Sequence, residues 1–475
     1  MKRSILNRIL LLSLTVSAHA ATRKSSPNVI VILSDELGWG DVSCNQPERG
    51  KVSTPAIDAL AKGGMRFTNA HAAHSVCTPT RTTLGSMFRS RGYATAAFGK
   101  WHLGLGWKPI AGDPGDFHYG SHLHGPGGGA AIAAVGRRVD HDAPISGGPN
   151  ELGFDEFFGT PSNCSRIPVF VRNDRVINNP QRDKKGLMTD PAVDRKTVDD
   201  LYVAETEKFI RAATQDNKPF FVYLALNAAH GAILPPDRYE GKSGIGPRGD
   251  RCLWVDESVA KIRKLLEDTK LLNNTLILFT SDNGPKYTKK EISQHDHDGS
   301  GPYRGFKTDI WDGGTRVPFI AHWPGQIKAG TENDNLVCLT DVLPTLASLV
   351  DAKLPTWAAE DGVDQHAQLL DPQATPTRKS MITQSYVGIL SIREGDWKLI
   401  FDTQGSGGFY RYSAEAAPMQ TLAPWRVDFS QSGQLYNLSS DPYEQTNLYD
   451  QHPETVQRLT KKMRAAIVNG RSDAD

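Results

Sequence analysis

Three uninterrupted apolar runs narrow the choice of fold more than anything else in this chain: VIVIL at 29–33, FFVYLAL at 220–226 and LILF at 276–279. A strand wet on one face alternates apolar with polar residues. A short run that is apolar at every position is covered on both faces, as in a parallel sheet sandwiched by helices. Pro27 and Ser34-Asp35-Glu36 bound the first run. Shorter strands are expected at 94–98 and 317–321. Between them the pattern becomes helical at 55–62, with Thr54 as N-cap and Gly63-Gly64 as stop, at 198–214 as an amphipathic helix, and at 256–269. Strands alternating with helices predict an α/β fold built on a large, mostly parallel sheet flanked by helices. A Pro- and Asp-rich patch at 371–376 marks a boundary. Beyond it, short strands at 388–392 and 397–401, joined by Arg393-Glu394-Gly395-Asp396, and a closing helix at 453–468 predict a small C-terminal antiparallel sheet with one helix on it. The expected units are 21–375 and 376–475.

The first twenty residues read differently. Lys2, Arg3 and Arg8 precede an apolar stretch from Ile9 to Val16, and Ala18-His19-Ala20 has the form of a cleavage site. This is the pattern of a secretory signal peptide, too short to span a bilayer. No later run is long enough to cross a membrane, so the expected destination is periplasmic or extracellular. With 54 Lys and Arg against 53 Asp and Glu, the formal net charge is +1 and no polybasic block occurs. That argues against nucleic acid or an anionic membrane as partner. Export permits disulfides, but five cysteines leave one over. Cys77 is the natural one to stay unpaired, and the pairing of Cys44, Cys164, Cys252 and Cys338 is not readable.

The ionisable residues fall at telling places. Asp35 and Glu36 follow one apolar run, Lys100 and His102 a second strand, His230 a third, and Asp282 and Asn283 a fourth. Ligands of open α/β sheets bind outside the carboxyl ends of the strands, so these distant residues are expected to meet on one edge. Three carboxylates and an amide oxygen are hard donors that favour Ca²⁺, or Mg²⁺, over zinc. The stretch from His74 to Gly104 adds an anion-binding character. Pro79 suits the first helical position, so Cys77 would precede a helix whose free N–H groups attract anions and lower a thiol's pKa. Arg81 offers a fork of donors to an oxyanion. By composition C-x-P-x-R arises by chance roughly 0.03 times per chain of this kind. A helix over 79–89 would descend about 16 Å. Gly92 permits a tight reversal, and residues 93–99 would climb back about 20 Å, returning Lys100 and His102 to the level of Cys77. The Gly-, Pro- and His-rich segment 105–149, helical only at 130–138, is a long loop of the kind that carries function. His118, His122 and His124 in it read as surface histidines rather than transition-metal ligands.

These motifs resemble those of the formylglycine-dependent sulfatases of the alkaline phosphatase superfamily. The resemblance rests on PNVIVILSDELGWGD, CTPTR, GYATAAFGKWHLG, FTSDNGP, GPYRGFKTDIWDGGTRVPFIAHWPG and LYNLSSDPYEQTNL, in that order along nearly the whole mature chain. It implies a sulfuric ester hydrolase acting on an aryl or carbohydrate sulfate. It implies that a maturation enzyme oxidises Cys77 to formylglycine, whose hydrate attacks sulfur. It carries metal binding to Asp35, Glu36, Asp282, Asn283 and the modified Cys77. Arg81, Lys100 and Lys307 would bind the sulfate, His230 would act as general acid, and His102 would move protons at the hydrate. The C-terminal sheet and helix match the family's C-terminal subdomain.

Two departures stand out. Glu36 takes the place of an aspartate usual in the family. After Arg81, Thr82-Thr83-Leu84-Gly85 runs at once into the segment before Gly92, and a stretch present in most relatives is missing. The expected consequence is a more open pocket and less efficient cysteine oxidation. Two further readings follow: a phosphate or phosphonate ester hydrolase using the same cations and metal, and a non-catalytic, glycan-binding relative.

Overall fold

The computed structural model describes residues 26–46, 50–75, 84–110, 138–184, 188–287, 289–405, 429–430 and 432–472. The expected signal peptide at 1–20, Cys77, Arg81, the histidines 118, 122 and 124, and all but the last residue of the helix expected at 130–138 lie outside them.

The apolar runs form the middle of a ten-stranded sheet. In chain order its strands are β1 (Asn28–Ser34), β2 (Met65–Phe67), β3 (Ala94–Lys100), β4 (Glu156–Thr160), β5 (Val171–Arg172), β6 (Arg175–Val176), β7 (Phe220–Ala225), β8 (Thr275–Ser281), β9 (Phe319–His322) and β10 (Thr331–Asn333). Across the sheet the order is β10-β2-β9-β8-β1-β7-β3-β4-β5-β6. The five central strands, β8-β1-β7-β3-β4, are parallel. Strand β9 runs antiparallel against both β8 and β2, and β5 runs antiparallel against β4. The sheet is therefore mixed, and the strand expected at 317–321 is an antiparallel neighbour beginning at Phe319. Pro318 has no N–H to give a ladder, which explains the later start.

Side chains of β1 point alternately into two cores. Val29 and Val31 join one cluster with Phe221, Leu276 and Leu278, while Ile30 and Ile32 join the other with Val222, Ile277 and Phe279. Burial on both faces is why the run has no polar position. The second core is closed by α3 (Val198–Gln215), through Tyr202, Val203, Phe209 and Ile210, and by α4 (Pro247–Asp268), through Val255, Val259 and Ile262. Each such side chain contributes about 1.5–3 kcal/mol by leaving water.

Helix α4 starts nine residues before the expected 256, because Pro247 occupies its first turn and the buried Arg248, Asp250 and Arg251 lie on its inner side. Helix α1 (Pro55–Gly63) lacks the expected Thr54 side-chain cap. The Asp256 carboxylate instead accepts from Ala56 N at 3.0 Å and Ile57 N at 2.9 Å, a cap supplied from α4. The described part of the helix before β3 is α2 (Leu84–Ser90). It ends in the expected reversal: Gly92 has φ 84, and Tyr93 N bonds Phe88 O at 3.2 Å.

The C-terminal strands Ser380–Gln384, Leu390–Glu394, Trp397–Ile400 and Gln434–Asn437 pair antiparallel in that order. The closing helix α5 (Pro453–Asn469) covers them through Leu459 and Met463, which meet Ile392, Leu399 and Leu435. The first and last of these strands carried too few apolar residues to be expected. Cys44, Cys164, Cys252 and Cys338 are free thiols. No helix among the described residues is long and apolar enough to cross a membrane.

Candidate active site

Parallel pairing in near register brings the carboxyl ends of the five central strands to one edge. Ser34 pairs with Ser281, Leu33 with Ala225, Ala225 with Gly99, and Lys100 with Thr160. Each strand then releases its functional residues at the same level. Gly99 makes this closeness possible: its φ is 112, and a Cβ there would lie 1.8 Å from Ala225 O.

Asp35, from β1, accepts a hydrogen bond from Lys100 Nζ at 2.5 Å. Glu36, beside it, has φ 64, a left-handed conformation that turns its carboxylate away from the strand line. Its Oε1 lies 2.7 Å from Lys307 Nζ and 3.1 Å from His230 Nε2. Its Oε2 accepts from Gly231 N at 3.3 Å, and its own N–H donates to Asp282 Oδ1 at 3.0 Å. Six of the expected residues, Asp35, Glu36, Lys100, His230, Asp282 and Lys307, are thus joined by direct contacts. The ligand-type atoms of Asp35, Glu36 and His230 all lie within 4.8 Å of one another. Asn283, fully buried, follows Asp282; its Oδ1 has no hydrogen-bond partner among the described residues. His102 lies two residues past Lys100 with φ 55, its N–H bonded to Pro161 O at 3.0 Å. Cys77 and Arg81 fall outside the description, but Ser75, at the start of their segment, is anchored: Ser75 N bonds Gln384 O, and Thr308 N bonds Ser75 O.

The electrostatics follow from burial. Asp35, Glu36, Lys100, Asp282 and Lys307 are each at most 6 % exposed. Burial pushes the Asp35 carboxyl up, but the charges of Lys100, His230 and Lys307 overcome it and hold the group at about 2. For Glu36, burial is likewise outweighed by His230 and Lys307, and the carboxyl stays well below its usual range. For Asp282, burial and the neighbouring Asp35 charge outweigh Lys100 and Lys307 and push the carboxyl up to about 6. Burial pulls His230 down to about 4 against the pull of Glu36 and Asp35. The site thus holds three carboxylates against two ammonium groups. One negative charge in excess, together with the orphaned Asn283 oxygen, fits a hard divalent cation among Asp35, Glu36, Asp282 and Asn283.

The imidazole is held in a definite tautomer. Ala232 N donates to His230 Nδ1 at 3.0 Å, so the neutral ring carries its proton on Nε2, the nitrogen that faces Glu36.

Several supporting residues were not readable in advance. Arg248 reaches from α4 to Glu36 O and Asp41. Asp199 on α3 accepts from Asn227 N at 2.9 Å and Ala228 N at 2.8 Å, and so shapes the loop that carries His230. Asn163 sits 3.2 Å from His230 Nε2. It follows β4, whose sequence EFFGT is too short an apolar run to announce a core strand. Reading it as a fifth strand would have pointed to its carboxyl end.

The family profile described as Sulfatase matches residues 27–84 and 80–352, two stretches meeting where the segment after Arg81 is short. The chain is 29 % identical to the N-acetylgalactosamine-6-O-sulfatase of Bacteroides thetaiotaomicron, over 92 % of each protein. It is 29 % identical to human arylsulfatase A, over 95 % of this chain and 89 % of that one. A solved structure from work on glycosaminoglycan metabolism by Bacteroides thetaiotaomicron superposes with a TM-score of 0.75 at 28 % identity, covering 93 % of this chain and 99 % of the other.

Proposed function

The chain belongs to the sulfatase family and is an enzyme that hydrolyses sulfate esters; on that premise we propose that it cleaves a glycan sulfate monoester through a formylglycine derived from Cys77, with a divalent cation, Ca²⁺ or Mg²⁺, beside it. The observation that carries this reading is the meeting of buried Lys100, three buried carboxylates and His230 after the ends of adjacent strands, with buried Lys307 reaching them from the loop before Asp312. One half of such a site neutralises an anion and the other half holds a cation.

Asp35, Glu36, Asp282 and Asn283 are the residues that would hold the metal, which when bound would supply a Lewis acid beside the sulfate oxygens. The formylglycine would supply the hydrate oxygen that attacks sulfur. The chain's own residues do the rest. Lys100 and Lys307 present fixed positive charge in a site shielded from water, where it stabilises the growing negative charge without reorganisation. Arg81 joins them from the Cys77 segment. As the S–O ester bond breaks, the leaving oxygen takes the electron pair, and His230, once protonated on both ring nitrogens, gives it the Nε2 proton and is left neutral. His102 takes the proton from the attacking hydroxyl. The reading includes export by the 1–20 signal peptide to the periplasm or the extracellular space, oxidation of Cys77 by a formylglycine-generating or sulfatase-maturating enzyme, and a division into a catalytic part at 21–375 and a C-terminal subdomain at 376–475. The glycan substrate is favoured by the names of the relatives, of which one acts on an N-acetylgalactosamine 6-sulfate.

The test is peptide mass spectrometry on protein co-expressed with a modifying enzyme, alongside turnover of a sulfated saccharide. An aldehyde at residue 77 in active protein is expected. Active protein with an unmodified thiol would overturn the mechanism, and preferential turnover of an aryl phosphate would move the assignment to phosphate esters. A folded protein that binds sulfated glycan without turning it over, even when modified, would make it a binding relative.

A further inference from the structure

We propose that Thr308 is a positioning residue: the strained turn it completes links the Lys307 loop to the Cys77 segment, and the C-terminal sheet holds that link in place. This rests on the roles given to Lys307 and Cys77 above.

Lys307 is the second residue of a tight turn. Asp309 N bonds Phe306 O at 2.9 Å, which puts Lys307 and Thr308 at the centre of a β-turn over residues 306–309. Thr308 has φ 83, the value that the third residue of a type II turn requires. Glycine or asparagine normally fills that place, and a β-branched residue there is strained. The side chain gains nothing in return: Thr308 is 2 % exposed, and its Oγ1 has no hydrogen-bond partner among the described residues. Left alone, Phe-Lys-Thr-Asp relaxes to a type I turn, whose third residue has φ of about −90°. The two forms differ by a turn-over of the central peptide, which exchanges the sides of Lys307 O and Thr308 N–H.

Backbone contacts hold the strained form. Thr308 N donates to Ser75 O at 3.0 Å, two residues before Cys77, and Tyr386 N donates to Thr308 O at 3.1 Å. Gln384 closes the triangle, its carbonyl accepting from Ser75 N at 3.1 Å. One short stretch of C-terminal backbone, 384–386, therefore fixes the spacing between Ser75 and Thr308. That stretch opens a firm hairpin. Gly388 N bonds Ser385 O at 3.1 Å, Ser385 N bonds Ile389 O at 2.8 Å, and Gly388 has φ 87, the pattern of a type I turn closed by a left-handed glycine. Lys307 is tied from a third side, its N–H donating to Pro285 O at 2.8 Å, just past Asn283. If the central peptide turns over, Lys307 O replaces Thr308 N–H in front of Ser75 O. Two carbonyl oxygens then face each other, and the Lys307 turn and the Cys77 segment part. A misplacement of about 1 Å between reacting groups costs up to about a hundredfold in rate.

Tyr386 is the second residue of its turn, where proline is favoured, so Tyr386→Pro suits the hairpin while deleting the N–H that meets Thr308. Tyr386→Ala controls for the lost side chain. Relative to that control, Tyr386→Pro is expected to lower kcat on a sulfate ester about tenfold with KM within about twofold. Amide hydrogen exchange, followed by mass spectrometry in protein expressed without the modifying enzyme, gives a readout apart from turnover: the peptide carrying Thr308 should exchange about tenfold faster. Thr308→Gly supplies the rescue. Glycine accepts φ 83 without strain, so the turn keeps its type II form when the Tyr386 bond is gone. In a Thr308→Gly background Tyr386→Pro should therefore cost less than about twofold in kcat and leave exchange slow. Equal losses with and without the glycine, or unchanged exchange in Tyr386→Pro, would overturn the proposal. Should Tyr386→Pro fail to fold, Gly388→Ala, which strains the same hairpin at φ 87, is expected to show the same loss and the same rescue. If Lys307→Ala leaves turnover of the matured enzyme unchanged, the reading of Lys307 fails instead, so the two failures are distinct.

Discussion

Lys398→Met should be the most damaging single change outside the active site. The Lys398 ammonium is 2 % exposed and lies 2.8 Å from both Asp312 Oδ1 and Glu444 Oε1. Glu444 also accepts from Asp312 N at 2.6 Å, at the start of the short helix Asp312–Thr315 that follows the Lys307 loop. Removing the cation leaves two buried carboxylates around an apolar side chain, and breaking a buried pair costs about 3–5 kcal/mol. Lys398 is the main reason the Asp312 carboxyl lies well below the usual range against burial, and in the variant Arg316, 2.8 Å away, still favours its ionised form. Glu444 is pushed up to about 7 by burial even with Lys398 present. It therefore takes a proton readily once the ammonium is gone, and the loss near pH 7 should fall at about 3 kcal/mol, the lower end of that range.

The sign with pH follows. In the variant Glu444 titrates above 7 when folded but at about 4.3 when unfolded. The folded state then binds the extra proton, so stability is greatest at low pH and is lost as pH rises through the folded value. The gap between wild type and variant should widen from pH 5 to pH 8. Urea unfolding followed by tryptophan fluorescence at both pH values measures it. Lys398→Met with Glu444→Gln should recover about 1–2 kcal/mol at pH 8, since one buried charge is gone. A loss under about 1 kcal/mol at pH 8, or one independent of pH, would refute the reasoning.

Gly99→Ala should lower both stability and activity: with φ 112 and a contact of 1.8 Å to Ala225 O, the strands must part. A cost of at least about 3 kcal/mol and a loss of kcat larger than any change in KM are expected, and near-wild-type unfolding would contradict them. Asp282→Ala should abolish turnover and lower the affinity for added Ca²⁺ by isothermal titration, while chelation of wild type should be reversible; full activity would remove Asp282 from the site. Asp41 is held well below the usual carboxylate range because Arg248 and His297 outweigh burial. Its contribution is present above the unfolded pKa of about 3.9 and is lost as pH falls below it, by about 1.4 kcal/mol per pH unit. The stability gap between wild type and Asp41→Asn should therefore narrow below about pH 4, and a constant gap would exclude this source of acid sensitivity.

The α/β class and the edge on which the site lies were readable because both depend on local pattern. A strand apolar at every position, as in 29–33 and 276–279, has to be covered on both faces, and polar residues directly after such strands emerge together at the carboxyl end. Asp35, Glu36, Lys100, His230, Asp282 and Lys307 were named on that ground and on the resemblance, and the structure brings them into contact. What pattern does not encode is which distant groups answer which needs. The cap of helix Pro55–Gly63 comes from Asp256, two hundred residues on, because an N–H left open by Thr54 is met by whatever acceptor packing brings near. The antiparallel β9 looked like another parallel strand, since direction leaves no mark on a buried run. Asn163 and Lys398 were ordinary polar residues in sequence. Only the closing of strand against strand and sheet against sheet takes them out of water, and a buried polar group acquires its role from the partner it is then obliged to find.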